Sequence, residues 1–326
     1  MMPVRSLVRP LAVALAGAAL ALASAAFAQD YPTRPIRIVV PFSPGGAVDG
    51  PTRLVAQKLG ERLGQQVIVE NKPGAGATLG TGEVAKSAPD GYTLLLASQT
   101  NTISATLYRK LPFDPIEDFA PVMLIGEEPG VLVVHPSFPA KTLDEFIAYV
   151  RDNPGKVDYA SSGNGSGQHL FAAMFASMAG LRMNHIPYKG SAQATADLLG
   201  GTVPVAIPGT AGMMGHIQAG KLRALATTGA KRAESLPDLP AIAERLPGYE
   251  AYVWLGILAP RGTPQPIVDK LHRELAAVMT LPEVKAYYAG HNLEIVASTP
   301  AAFGTFFRAE KDRWARVIAE TGAKID

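Results

Sequence analysis

Two glycine-rich turns carry the groups in this chain best suited to chemistry. Ser43-Pro44-Gly45-Gly46-Ala47-Val48-Asp49 follows the apolar run Ile36 to Phe42, and Ser161-Ser162-Gly163-Asn164-Gly165-Ser166-Gly167 leads into a helix-like stretch from Gln168 to Met178. Each turn passes from a β-like segment onto a helical one. The first N–H groups of a helix have no partner inside it, and the helix dipole adds about half a positive charge there. The chemistry this offers is anion binding on backbone amides, with no Arg or Lys required. Glycine suits both turns, because it tolerates φ > 0 and lets another group approach the backbone closely. The candidate anion contacts are therefore Ser43, Gly45, Gly46, Ala47 and Val48 in the first turn, and Ser162, Gly163, Gly165 and Ser166 in the second. Asp49 precedes Gly50-Pro51 and has two readings, a helix-capping acid or an acceptor for an ammonium, hydroxyl or water of a ligand. His169, one turn into the following helix, is either a core and capping residue or a ligand contact. Ser98, Thr100 and Asn101 end a strand on the same crevice, and Tyr188 either closes one wall or packs as an ordinary aromatic.

The elements around these turns read as α/β. Ile36–Pro41, Val67–Glu70 and Thr93–Ala97 are strands, separated by helices over Pro51–Leu63 and Thr81–Ser87, which is the pattern of a parallel sheet with right-handed crossovers. Ligands of such sheets sit at the carboxyl ends of the strands, where the first turn and Ser98 to Asn101 lie. A second series begins after Phe113 to Pro121, with strands at Val122–Ile125, Gly130–Val134, Asp158–Ala160, Asn184–Pro187, Val203–Ile207 and Leu222–Thr227. Helices are expected at Leu143–Arg151, capped by Thr142, and near Ala192–Leu199 and Gly212–Ala219. A strand at Val253–Ala259 and helices at Pro266–Met279, Pro282–Ala289 and Pro300–Glu320 return the chain to the first unit. The expected fold is two lobes, each a mostly parallel sheet flanked by helices, with one lobe inserted in the other and the ligand cleft between them. The expected boundaries are 29–128 plus 251–326 for the first lobe and 129–250 for the second, with crossings near 125–130 and 248–253.

Composition narrows the function. Met1 to Ala28 has basic Arg5 and Arg9, an apolar run from Leu11 to Leu22 and an Ala26-Phe27-Ala28 cleavage motif, which together read as a secretory signal removed after Ala28. The run is shorter than the ~20 residues that span a bilayer, so the mature protein is expected in the periplasm. Two of the 30 Lys and Arg lie in this leader, leaving 28 basic against 28 acidic residues, a balance that argues against nucleic acid as a partner. With no cysteine, disulfides, thiol nucleophiles and thiolate metal sites are excluded. The six histidines are scattered without metal-ligand spacing, and neither a Walker pattern nor G-x-G-x-x-G is present, so no metal or cofactor is expected. An esterase would want G-x-S-x-G, whereas Ser166 falls one place late in Gly163-Asn164-Gly165-Ser166-Gly167. An envelope hydrolase using Ser166 is thus the weaker alternative to a binding protein.

Ile38-Val39-Val40-Pro41-Phe42-Ser43-Pro44-Gly45-Gly46 with Asp49 and Arg53 resembles the opening signature of Bug-type periplasmic solute-binding proteins of tripartite tricarboxylate transporters. Further matches follow in order: Glu70 to Gly76, Ala88 to Leu94, Tyr159 to Ser166, His185-Ile186-Pro187-Tyr188-Lys189-Gly190, Asp197 to Gly201 and Ala219 to Leu225. The resemblance implies a Venus-flytrap receptor without catalysis or cofactor. Such a receptor closes on a small carboxylate and delivers it to membrane permease subunits; it also allows a sensory role toward a sensor kinase ectodomain. A monomer is expected, since closure must be free. Two positions depart from the family pattern. Val48 stands where Thr is common, and Val203 to Thr210 lacks the acid common there, which favours a plain carboxylate over an amino acid.

Overall fold

The computed structural model describes residues 31–45, 48–108, 110–234 and 236–323. The leader with its cleavage motif, and Gly46 and Ala47 of the first turn, lie outside the described residues.

Short β-branched runs become the strands. β1 (Ile36–Val40), β2 (Val67–Asn71), β3 (Thr93–Ala97), β4 (Phe119–Pro129), β10 (Tyr252–Pro260) and β11 (Glu294–Ile295) form a six-stranded sheet in the order β11-β4-β10-β3-β1-β2. β5 (Val131–Val134), β6 (Asp158–Ser161), β7 (Asn184–Pro187), β8 (Val205–Ala206) and β9 (Arg223–Thr227) form a second sheet, β7-β6-β8-β5-β9. The fold is two-lobed α/β, and the two sheets share one plan: β2-β1-β3-β10-β4 matches β7-β6-β8-β5-β9. In each lobe one strand runs antiparallel between two that point the other way, β10 between β3 and β4 and β5 between β8 and β9. That strand is the one that brings the chain in from the other lobe. Both sheets are mostly parallel in strand direction, as expected, but the ladders are mixed, because a strand arriving from the partner lobe enters against the others.

The helices are α1 (Asp49–Leu63), α2 (Thr78–Ala85), α3 (Gln99–Leu107), α4 (Leu143–Asp152), α5 (Gly167–Met178), α6 (Ser191–Leu199), α7 (Met214–Gln218), α8 (Gln265–Met279), α9 (Pro282–Gly290) and α10 (Pro300–Thr321). Their amphipathic spacing and start signals explain them. In α8, Ile267, Val268, Leu271, Leu275 and Val278 are buried along one face. Thr299 caps α10 through Ala302 N–H, and Pro300 occupies its first turn, where no amide donor is needed. α3 was not expected, because Ser98 to Asn101 reads as the end of a strand. In the structure these residues begin a helix: Ser98 N–H donates to Asn101 Oδ1 (3.0 Å) and Ser98 Oγ accepts from Thr100 N–H (3.4 Å), a reciprocal capping box.

The hydrophobic core crosses the lobe boundary. Ile103 and Leu107 of α3 and Trp314 and Val317 of α10 belong to the second lobe's core, and Phe171 stacks on Trp314 at 5.8 Å. α8 and α9 pack back on α1, as expected of the C-terminal helices, but α10 touches α3, β4 and also α5. The two chain crossings are tied together by buried Thr228. Its Oγ1 accepts from Gly130 N–H and donates to Ala251 O, while its backbone bonds Gly130 O and Ala251 N. Among the described residues no helix is long and apolar enough to cross a membrane.

Candidate functional site

The first turn leaves β1 and is shaped by a buried acid. Gly45, at φ +76°, donates its N–H to Asp49 Oδ2 (3.0 Å), and Arg53 Nε donates to the same oxygen (2.9 Å). Asn71 Nδ2 donates to Asp49 Oδ1 (2.8 Å) and to Phe42 O (3.0 Å), and Arg53 Nη2 donates to Asn71 Oδ1 (2.7 Å). Burial alone would raise the Asp49 carboxyl, but the bonds from Arg53, Gly45 and Asn71 outweigh it and hold the group below its ordinary range. Asp49 therefore lies within the first turn of α1 and braces the loop that precedes it. Ser43 and Gly45 are exposed, and Val48 is half-buried against the first lobe's core.

The second turn is held by neutral groups. Gly163 N–H donates to Ser161 Oγ (3.1 Å), Ser166 N–H to Gly163 O (3.1 Å), and Gly165 N–H to His169 Nδ1 (3.2 Å). Ser166 Oγ caps α5 by accepting from His169 N–H (3.3 Å). The His169 ring stacks on His185 at 3.9 Å and 3°, and His185 in turn stacks on Tyr159 and bonds Ser161 Oγ (2.6 Å). Burial, with His185 adding to it for His169, pushes both imidazoles down to about 4, so both are neutral at pH 7. Because Nδ1 of His169 accepts, its neutral ring carries the proton on Nε2. The amides of Gly163, Gly165 and Ser166 are engaged inside the turn, while Gly167 and Gln168, first in α5, have amides without a partner inside the helix.

Ser98 and Asn101 are buried and engaged in capping α3, and Asn101 Nδ2 also donates to Thr81 Oγ1 (3.1 Å). Thr100, in the first turn of α3, makes no side-chain bond to a described residue. Tyr188 packs on the second lobe's core, donates its hydroxyl to Asp197 Oδ2 (2.7 Å) and has its phenol pushed up to about 12 by burial and Asp197. Its carbonyl lies 3.1 Å from where a Cβ on Gly163 would fall.

Three residues outside the sequence-based set matter to the site. Gln99, first in α3, reaches across to Gly167, first in α5; a Cβ on Gly167 would lie 2.5 Å from Gln99 Nε2. The two helix N-termini, one from each lobe, therefore meet at this contact. Glu128, at the end of β4 and 1% exposed, accepts at Oε2 from Thr210 Oγ1 (2.9 Å) and Ala211 N–H (2.6 Å), fastening the hinge to the second lobe. Burial pushes its carboxyl up to about 7 despite those bonds. Gly209 leaves the room that Glu128 needs, for a Cβ there would fall 2.5 Å from Oε1. The third is Thr228, the link between crossings. An acid pair inside an otherwise apolar run, Glu127-Glu128, was a readable signal; nothing local marks Gln99 or Thr228.

A groove of about 690 Å³ lined by Arg53, Gln57, Gly60, Glu61, Gln65 and Ile68 lies beside β2 and includes no residue of either turn. Among the described residues no group of three or more His, Asp or Glu is placed to hold a metal. Ser166 Oγ faces a backbone amide and His169 Nδ1 faces Gly165, so the two do not form a nucleophile and base pair.

Residues 52–323 match the model of the tripartite tricarboxylate transporter family receptor. The chain is 39% identical to BugT of Bordetella pertussis over 307 residues, covering 93% of this chain and 94% of that one. Its structure is similar to that of Rpa4515 of R. palustris, solved with adipate, at TM-score 0.85 and 35% identity over 91% of this chain and 100% of the other. It is also similar to MatC of Rhodopseudomonas palustris, solved with bound malate, at TM-score 0.81 and 31% identity over 88% and 100%.

Proposed function

The chain belongs to the tripartite tricarboxylate transporter receptor family, as a Bug-type periplasmic solute-binding protein and not an enzyme, and from that premise we propose that it closes on a small carboxylate between its lobes and delivers it to a membrane permease. The observation that carries this reading is the meeting of Gln99 and Gly167, which sets the N-terminus of α3 opposite that of α5. Two helix ends hold a carboxylate with dipoles already oriented, which avoids the desolvation penalty of burying a cationic side chain. Adipate and malate in the related structures are the right class of ligand.

In this reading the first lobe is 29–128 with 251–326, the second is 129–250, and the mature chain starts after Ala28. The ligand-facing groups are Ser43, Gly45, Gly46, Ala47 and Thr100 from the first lobe, and Ser162, Gly167 and Gln168 from the second. Asp49, Ser98, Asn101, Ser166 and His169 hold the turns that present them. Closure about the β4–β5 and β10 crossings excludes water and strengthens each contact. The receptor acts as a monomer.

A thermal-shift screen of residues 29–326 against mono-, di- and tricarboxylates tests this. A ligand at 100 times its Kd adds about 2.7 kcal/mol, enough to raise Tm by a few degrees. Stabilisation by one class of acid, and not by its methyl esters, is the expected outcome. No stabilisation by any acid, in folded protein free of carried-over ligand, would refute the reading.

A further inference from the structure

The acid at the crossing from β4 to β5 is placed to respond to the position of the second lobe. Glu128 stands on first-lobe backbone, in register with apolar Val253 of β10. Both donors to its carboxyl, Thr210 Oγ1 (2.9 Å) and Ala211 N–H (2.6 Å), come from the second-lobe loop between β8 and α7, and both reach Oε2. Oε1 lies against the bare Cα of Gly209, where a Cβ would fall 2.5 Å away. The side chain is buried, and among the described residues no Lys, Arg or His pairs with it and no other charge acts on it. Two neutral donors are a poor substitute for water around a carboxylate, so this setting favours the uncharged acid.

Glu127, its neighbour, points to the opposite face of β4. The titratable groups facing it there are Glu294, Glu250, Glu310 and Tyr252. Glu294 and Tyr252 lie on strands of the same sheet, so much of the surroundings of Glu127 travels with it. The donors of Glu128 belong to the other lobe.

Building on the reading of a receptor that closes on its ligand, we propose that Glu128 couples closure to a proton, the lobes closing on the neutral acid and opening on the carboxylate, so that ligand binding tightens on mild acidification. With the second lobe swung away, Glu128 loses Thr210 and Ala211 and gains water, which favours the charge. In the arrangement seen here, where Gln99 meets Gly167, burial pushes the carboxyl up to about 7 against 4.5 for an ordinary glutamate. The closed form therefore keeps a proton that the open form releases between those values. Closing takes up that proton, and the closing equilibrium strengthens as pH falls from 7 toward 4.5. Oε1 is the oxygen to carry it, since Oε2 already accepts twice and both bonds to the second lobe then survive.

Interlobe distances test this without any ligand. The chain has no cysteine, so Lys86→Cys, just past α2, and Gln193→Cys, in α6, accept a unique pair of spin labels; both positions are exposed, and α2 and α6 are equivalent helices of the two lobes. In residues 29–326 the ratio of closed to open distances should be about tenfold higher at pH 6 than at pH 8. Glu128→Gln, or Glu128→Met should the first variant not fold, should give one ratio at both pH values, while Glu127→Gln keeps the parent's change. Calorimetry with malate in two buffers of different ionisation enthalpy gives the second readout. Binding at pH 6 should take up about one proton and be about tenfold tighter than at pH 8, and Glu128→Gln should abolish both effects. A parent ratio that is the same at pH 6 and 8 overturns the proposal. So does a pH response that survives both Glu128 variants, or one that Glu127→Gln removes. Failure of malate to bind, with the pH-dependent distances intact, would count against malate as ligand and leave the role of Glu128 supported.

Discussion

The two glycine turns occupy equivalent places in two sheets of the same plan, yet they are built from opposite chemistry. The first is braced by an ionised acid with a guanidinium and an amide, Asp49, Arg53 and Asn71. The second is braced by neutral hydroxyl and imidazole groups, Ser161, His185 and His169. In each turn a bracing side chain accepts from a glycine amide, Asp49 from Gly45 and His169 from Gly165. The shared feature is thus a glycine amide held by a side chain from the helix that follows, and the chemistry of that brace differs between the lobes. The two braces should differ in what breaks them.

Backbone substitution should have the largest effect. Gly163 sits at φ +126° with a carbonyl 3.1 Å from its Cβ position, whereas Gly45 sits at φ +76° with nothing within 4 Å. Gly163→Val combines strain with a clash and should weaken carboxylate binding by about 100-fold or more, while Gly45→Val, with strain alone, should weaken it by about tenfold. Calorimetry on both variants, with circular dichroism to confirm folding, checks the order; equal losses would remove the distinction.

Next comes deletion of each brace. Asp49→Ala leaves donors from Gly45, Arg53 and Asn71 without their acceptor and should destabilise the fold by about 2–4 kcal/mol in urea. His169→Ala removes one amide acceptor and one stacked ring and should cost less, about 1–3 kcal/mol.

The pH dependence separates the braces further. His169 and His185 ionise near 4 in the fold against 6.5 when unfolded, so only the unfolded chain takes up their protons as pH falls from 6.5 to 4, and stability drops over that window. Each histidine contributes a slope of up to ~1.4 kcal/mol per pH unit. His185→Phe should flatten that slope in urea midpoints measured from pH 4 to 8. Asp49 is held low, so its contribution persists to more acid pH and is lost only below its ordinary range. The hinge acts in the reverse sense. Glu128 is raised to about 7 from 4.5, so the folded state keeps a proton that the unfolded state gives up, and stability declines as pH rises from 4.5 to 7. Glu128→Gln should remove its share of that decline, leaving the share of Glu127, whose carboxyl burial likewise pushes up to about 7.

Most strands, the cap at Thr142 and both glycine turns were legible, because each rests on local signals such as β-branched runs, turn residues and capping side chains. α3 was missed because its cap uses Asn101 where Glu or Gln is usual, and because Ile103 and Leu107 pack into the far lobe's core. Gln99 and Glu128 gain their meaning from Gly167 and Gly209, residues distant in sequence whose missing side chains make room for them. No local pattern encodes such a pairing.

The central claim, that one anion is held by helix ends from both lobes, is tested most directly by an amide NMR titration of the mature protein with a carboxylate that stabilises it. Saturating shifts at Gln99 and Thr100 together with Gly167 and Gln168, all following one binding curve, are the predicted result. Shifts confined to one lobe, or centred on the groove beside β2, would contradict it.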